Sequence, residues 1–318
     1  MSSGMFLSGW RYKTIVLSVI FSAIGYLGVS LWGGWDGVIS AFGKVGVFGI
    51  LAALLMSSIN YILRFLRWSM YLRVLGQDIP WESNLKIYLA GFAMTTTPGR
   101  AGEALRGVLL KPWGVPYTKS FAAFFSERLS DLIAILGMTL FGLSQYSDAK
   151  NIILGGGGLI IIGLVLLSNP KLIIKVVNVA SDRYRMPLKF FRHLCDVLAE
   201  AQRCHRPIIL IGATLLGVLA CSAEAIAFYW ILNWLGGDIS LPFAIFVYAT
   251  ALLAGALSFL PGGLGGTEAV MVGLLIAKGM PHTDAIAATI LIRLCTLWFS
   301  TTVGVGALIN SKQNPSAA

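Results

Sequence analysis

The sequence predicts an all-α polytopic membrane protein: a helix bundle of two inverted repeats, each with a Pro/Gly-broken re-entrant helical hairpin, about six full spans plus two hairpins. Three observations lead there. Of 318 residues, 57% are hydrophobic and only 12% charged, with a mean hydropathy of +0.79, whereas soluble domains carry about 25% charged residues. Apolar segments of membrane length alternate with short polar intervals, the longest being 169–207. One set of landmarks also occurs twice in the same order. Gly114, Pro116, Thr118, Ala122, Ala123, Arg128 and Leu129 return as Gly279, Pro281, Thr283, Ala287, Ala288, Arg293 and Leu294 at one constant offset.

In chain order, 14–32 is the first span. Arg11 and Lys13 precede it, and it exceeds the apolar core of about 7–15 residues of a secretory signal, so an uncleaved span with a cytoplasmic N-terminus is expected. A loop at 33–44 leads to the first repeat, 45–143. Its opening span, 45–63, runs into Arg64, Arg67 and Arg73 interleaved with Phe65, Trp68 and Tyr71. Such a basic-aromatic end reads as a headgroup anchor, with Arg64 facing an interior cavity as the alternative. The hairpin 85–111 consists of two arms around Pro98-Gly99, each too short for a hydrocarbon core of about 30 Å. Broken backbone survives at that depth only against protein or a water-filled cavity.

The next span, about 118–143, carries Glu127 and Asp131 four apart, hence on one face. A span at 152–168 opens on Gly155 to Gly158. The connector 169–207, rich in Lys and Arg, reads as amphipathic helix on the anionic inner leaflet. The second repeat, 208–309, places Glu224 inside its first span. Its hairpin, 243–278, breaks at Pro261-Gly262-Gly263-Leu264-Gly265-Gly266, and its last span holds Arg293.

Loop charge sets the orientation. Between its spans the first copy carries Arg64, Arg67, Arg73, Lys86, Arg100, Arg106, Lys111 and Lys119, while the second has little beyond Asp238, Lys278, His282 and Asp284. By the positive-inside rule the copies face opposite sides, with both termini cytoplasmic. The net charge of +10 is explained the same way, so nucleic acid is not an expected partner. Cys195 and Cys204 fall in the connector, and Cys221 and Cys295 within spans, which implies no disulfide framework. His193, Cys195, Cys204 and His205 lack the paired spacing of a zinc site. No metal or other cofactor is expected.

Ionisable groups at bilayer depth cost roughly 2.5–3.5 kcal/mol each on insertion scales. The candidate binding residues are therefore Arg100, Glu103, Glu127, Arg128, Asp131, Glu268 and Arg293, with Arg64 and Glu224 as further candidates and the Pro261, Gly262, Gly263 turn beside them. Half-helix N-termini after Pro98-Gly99 and after the glycine run present free N–H groups and positive dipole ends, which suit a phosphate. Arg128 and Arg293, being repeat-equivalent, are expected to approach one axis from opposite sides. The bland alternative is interior ion pairing that locks the bundle.

Pro98-Gly-Arg-Ala-Gly-Glu103, Glu127-Arg128-Leu-Ser-Asp131 and Pro261-Gly-Gly-Leu-Gly-Gly-Thr-Glu268 resemble recurring segments of the flippase-like family, the lysylphosphatidylglycerol synthase transmembrane family, over about residues 10–310. The resemblance implies movement of charged or lipid-linked headgroups. The aminoacyl transferase domain of larger members is not matched, so synthase activity is not implied. The expected function is flipping of a phosphate-bearing lipid or lipid-linked headgroup across the cytoplasmic (inner) membrane, without enzymatic activity. The alternatives are an integral-membrane enzyme on lipid phosphates and a non-transporting scaffold in an envelope-lipid pathway. No ATP motif is present, so active transport needs a coupling ion or the lipid's own gradient. The lipid, its direction of movement and the oligomeric state are not encoded in any motif.

Overall fold

Along the long segments the polar residues fall on the buried face and the large apolar residues on the outer one, the reverse of a soluble helix. Ser57, Asn60, Arg64, Arg67 and Trp68 are buried, while Phe48, Leu51, Leu55 and Ile62 are exposed. That arrangement is stable where the surroundings are lipid. A computed structural model describes residues 35–96, 105–144, 188–258 and 260–311, together with positions 155 and 158. The span at 14–32, the Pro98-Gly99 break and most of the 152–168 span and of the connector lie outside the described residues. Among the described residues the regular structure is helical.

Helix α1, Trp35–Val74, has 40 residues, interrupted at Gly46 (φ 66°, ψ 173°), a conformation open to glycine almost alone. The loop expected at 33–44 is therefore helical from Trp35. The helix also runs past 63 to Val74, which brings Arg64 and Arg67 into the interior instead of the headgroup layer. Then follow α2 (Trp81–Gly91), a 3₁₀ turn Phe92–Met94, α3 (Leu105–Leu110) and α4 (Tyr117–Leu143). The connector supplies α5, Leu188–Cys204. The second copy contributes α6 (Pro207–Trp234), α7 (Leu241–Leu257), α8 (Gly266–Ala277), α9 (His282–Arg293), a π-helical turn Leu294–Trp298 and α10 (Phe299–Ser311).

By length and composition, Gly37–Val74, Pro207–Trp234 and His282–Ile309 can cross a membrane. The hairpin arms α7 and α8, with 17 and 12 residues, reach only about 25 and 18 Å at ~1.5 Å per residue, short of a ~30 Å core.

The two copies repeat their turn geometry bond for bond. Gly76 N donates to Arg73 O and Gln77 N to Leu72 O; Gly236 N donates to Asn233 O and Gly237 N to Leu232 O. After each hairpin, Gly114 N bonds Lys111 O and Gly279 N bonds Ile276 O. All four glycines, Gly76, Gly236, Gly114 and Gly279, have positive φ, where a Cβ is unfavourable. Packing exchanges the copies: α1 lies along α6, α7 along α4, and α2 along α10. Each copy's first hairpin arm thus leans on the other copy's final long helix, and the interior lies between them.

Candidate functional site

Six charged residues of the first copy, Arg64, Arg67, Arg106, Glu127, Arg128 and Asp131, collect in one largely buried cluster. Glu127 and Asp131 project from one face of α4 toward α1. Arg67 Nη2 donates to Asp131 Oδ1 at 2.6 Å and lies 3.6 Å from Glu127 Oε1. Arg64 Nη2 stands 3.4 Å from Asp131 Oδ1, and Arg128 Nη2 3.1 Å from Asp131 Oδ2. Arg106 Nη1 donates to Glu127 Oε2 at 2.7 Å. Tyr88 OH donates to Glu127 Oε1 at 3.4 Å. Four guanidiniums thus converge on two carboxylates. Arg67, Arg106, Glu127 and Asp131 are all buried. In a medium of low dielectric such a network holds only when the charges are mutually paired.

The sequence makes room for it. Arg106 lies between Trp68 and Tyr88, its guanidinium carbon 4.8 and 4.4 Å from the ring centroids, a double cation–π contact. A Cβ at Gly91 would stand 2.7 Å from Arg106 Nε, and one at Gly217 2.8 Å from Arg67 Nη1. These two glycines are spaces for guanidiniums.

The second copy is built differently. Positive φ at Gly262, Gly263 and Gly265 folds the chain into a tight turn before α8. Arg293, from the end of α9, donates through Nη2 to Gly262 O at 2.8 Å and through Nε to Glu268 Oε1 at 2.7 Å. The other oxygen, Glu268 Oε2, accepts from Gly265 N–H at 2.7 Å, which satisfies the N-terminus of α8. The π-turn begins at the next residue, Leu294, and Thr296 O within it accepts from Tyr61 OH at 2.8 Å.

Between the copies lies a cavity of about 50 Å³, lined among others by Tyr61, Arg64, Glu224, Tyr248, Arg293 and Thr296. Tyr248 OH donates to Glu224 Oε2 at 2.8 Å. The space fits a few waters at most. A second cavity, of about 190 Å³, opens at the α1–α2 turn against Arg73, Asp78 and Trp81.

Glu127, Arg128 and Asp131 come together with Arg64. Pro261, Gly262, Gly263, Glu268 and Arg293 form the second group, and Arg64, Glu224 and Arg293 share the central cavity. Arg128 is not among the residues lining that cavity; among the described residues it pairs with Glu127 and Asp131 on its own helix. Arg100 and Glu103 lie outside the described residues. Sequence reasoning missed Arg67 and Arg106 as site residues, having counted both as loop charge. The repeat counterparts Tyr88 and Tyr248 each donate to a buried carboxylate, a correspondence that only the structure reveals.

On the far side of α4, Ser126 Oγ lies 3.2 Å from His205 Nε2, in the joint between α5 and α6. Burial lowers the His205 pKa below its ordinary value and pushes the Cys204 thiol up to about 11.

Comparison with known proteins agrees over nearly the whole chain. The family described as the lysylphosphatidylglycerol synthase TM region matches residues 15–304. A UPF0104 membrane protein of Pyrococcus horikoshii is 23% identical, covering 92% of this chain and 95% of that relative. One from Methanothermobacter thermautotrophicus is 25% identical over 94% of this chain and 95% of its own. The glycosyltransferase AglD of Haloferax volcanii is 28% identical over 147 residues, which is 45% of this chain and 24% of that protein.

Proposed function

The chain belongs to the lysylphosphatidylglycerol synthase TM-region family, and on that premise we propose that it carries a phosphate-bearing lipid headgroup, free or lipid-linked, from one leaflet to the other. The family and the glycosyltransferase-named relative support a role connected with membrane lipids. The observation that carries the finer reading is that Arg64 and Arg293, from different copies, line one buried cavity between them.

A phosphate at the bilayer midplane is prohibitively costly because hydrocarbon does not solvate its charge, and interior guanidiniums lower that barrier where they are already desolvated. Lipid tails remain outside, along the exposed apolar faces of α1 (Leu51, Leu55) and α6 (Ile211, Leu215, Leu219). The headgroup moves inside, passing between Arg64 and Arg293 as the halves rock. The opposed loop charge of the copies and the exchanged packing of α2 and α7 support an inverted pair, 45–143 and 208–309, in the cytoplasmic membrane with both termini cytoplasmic. The protein acts as a carrier rather than an enzyme, driven by a coupling ion or by the lipid gradient.

The test is scrambling of a fluorescent phospholipid in sealed liposomes by the purified chain. Activity is expected for the wild type and a loss of at least about tenfold for Arg64→Gln/Arg293→Gln, the scale of one charged hydrogen bond. Conversion of lipid in detergent, where no two sides exist, would instead make it an enzyme. Full scrambling by the folded double variant would sink the reading.

A further inference from the structure

We propose that Glu268 is a tethered counter-anion: its carboxylate holds the phosphate position at Arg293 and the N-terminus of α8, and must leave for a phosphate group to bind. This rests on the phosphate-carrying reading above and names how that site is controlled.

The geometry is that of an anion already in place. One carboxylate oxygen takes Arg293 Nε and the other takes Gly265 N–H, both at 2.7 Å. These are the two kinds of donor a phosphate uses, a guanidinium and the N–H groups at a helix N-terminus, and a phosphate presents oxygen pairs at a similar spacing to a carboxylate. Arg293 does not depend on Glu268 for its aim. Its Nη2 is fixed on Gly262 O at 2.8 Å, so the guanidinium stays oriented when its Nε edge is vacated.

The two partners also differ in freedom. The Arg293 side chain is 3% exposed, while that of Glu268 is 17% exposed. Glu268 sits in the first turn of α8 beside the glycine turn, so rotation of its side chain can carry the carboxylate off Arg293. Arg293 also lines the central cavity, so the displaced contact lies on the route assigned to the headgroup. The other carboxylate at that cavity, Glu224, is hydrogen-bonded by Tyr248. Competition between a fixed internal anion and an arriving one keeps Arg293 paired at every stage, which avoids leaving a buried unpaired charge.

The experiment is equilibrium binding to the full chain in phosphatidylcholine nanodiscs, with radiolabelled inorganic phosphate in one arm and short-chain phosphatidic acid in the other. Glu268→Gln retains one acceptor oxygen, so it can satisfy Arg293 or Gly265 N–H but not both. It is expected to bind phosphatidic acid about tenfold more tightly than the wild type. Arg293→Gln should abolish binding, and the double variant should bind no better than Arg293→Gln alone. A parallel gain for inorganic phosphate assigns recognition to the bare phosphate group; a gain confined to phosphatidic acid assigns it to the lipid.

Thermal melting in the same nanodiscs checks folding. If Glu268→Gln does not fold, Glu268→Asp, with its shorter reach, should give a smaller gain of the same sign. If the wild type binds and Arg293→Gln does not, yet neither Glu268 variant binds more tightly, the counter-anion role is overturned while the phosphate site stands. If no form binds either probe, the phosphate site falls, and this inference with it.

Discussion

Arg106 concentrates the energetics of the first copy: a buried cation whose partners among the described residues include the Glu127 carboxylate and two aromatic faces. Removing one member of a buried ion pair costs about 3–5 kcal/mol, because the partner stays charged and dry. Arg106→Ala should therefore lower stability by about that amount in equilibrium unfolding. Arg106→Lys keeps the charge but loses the planar stacking on Trp68 and Tyr88, and should cost about 1–2 kcal/mol. Equal losses in the two variants would mean that the rings contribute nothing. Gly217→Ala and Gly91→Ala push a methyl into Arg67 and Arg106 respectively, at about 1–3 kcal/mol each. Larger changes at a half-buried glycine with open space around it, such as Gly212→Ala, would contradict that account.

At the scale of elements, the joint between α5 and α6 carries a pH dependence. His205 is buried against Ser126 with its Nδ1 unpartnered, and its folded pKa lies below the ordinary value. The folded joint then binds fewer protons than the unfolded one, so stability rises with pH. It is fully present above about pH 6.5, the unfolded value, and is lost as pH falls from there toward the folded pKa. The protection factors of amides across 196–210, taken against the intrinsic exchange rate at each pH, should fall on acidification in the wild type and stay flat in His205→Gln. An acid-insensitive wild type would remove His205 from that role. The contact between α10 and the 3₁₀ turn that follows α2 is a separate matter of sterics: Gly304 backs directly on the Phe92–Ala93 backbone. Gly304→Ala should therefore spread these two elements and lower the melting temperature.

For the whole molecule, much was legible in the sequence. Composition and hydropathy gave the membrane class, and the doubled Gly-Pro-Thr-Arg landmarks gave two copies whose turns share the same hydrogen bonds. What stayed hidden was the burial of Arg67, and that of Arg64 was legible only as the alternative to a headgroup anchor. A basic-aromatic stretch at the end of an apolar run looks the same whether it snorkels to headgroups or faces a carboxylate on another helix. The deciding partner of Arg67 is Asp131, 64 positions away. Arg106 was obscured likewise, because its pocket is assembled from α1, α2 and α4. The inverted sense of the copies is open to a direct test. Single cysteines at Asp78 and Asp238, both exposed turn positions, in a chain whose native cysteines are replaced, should label with an impermeant maleimide from opposite sides of the membrane. Labelling from the same side would abolish the inverted arrangement.

The uneven distribution of charge between the copies has a thermodynamic consequence. Two identical halves, inverted, would open to either face with equal free energy, and the carrier would have no preferred rest position. Here Arg67, Arg106 and Glu127 have Ala227, Met271 and Ile292 as their counterparts. Prising apart the first half breaks a buried network of four guanidiniums and two carboxylates, while prising apart the second breaks the Arg293–Glu268 pair and otherwise separates mostly hydrocarbon. The two openings are therefore not degenerate. On the carrier reading proposed above, the resting side is the one whose opening leaves the arginine cluster closed, and turnover is paced by the excursion away from it.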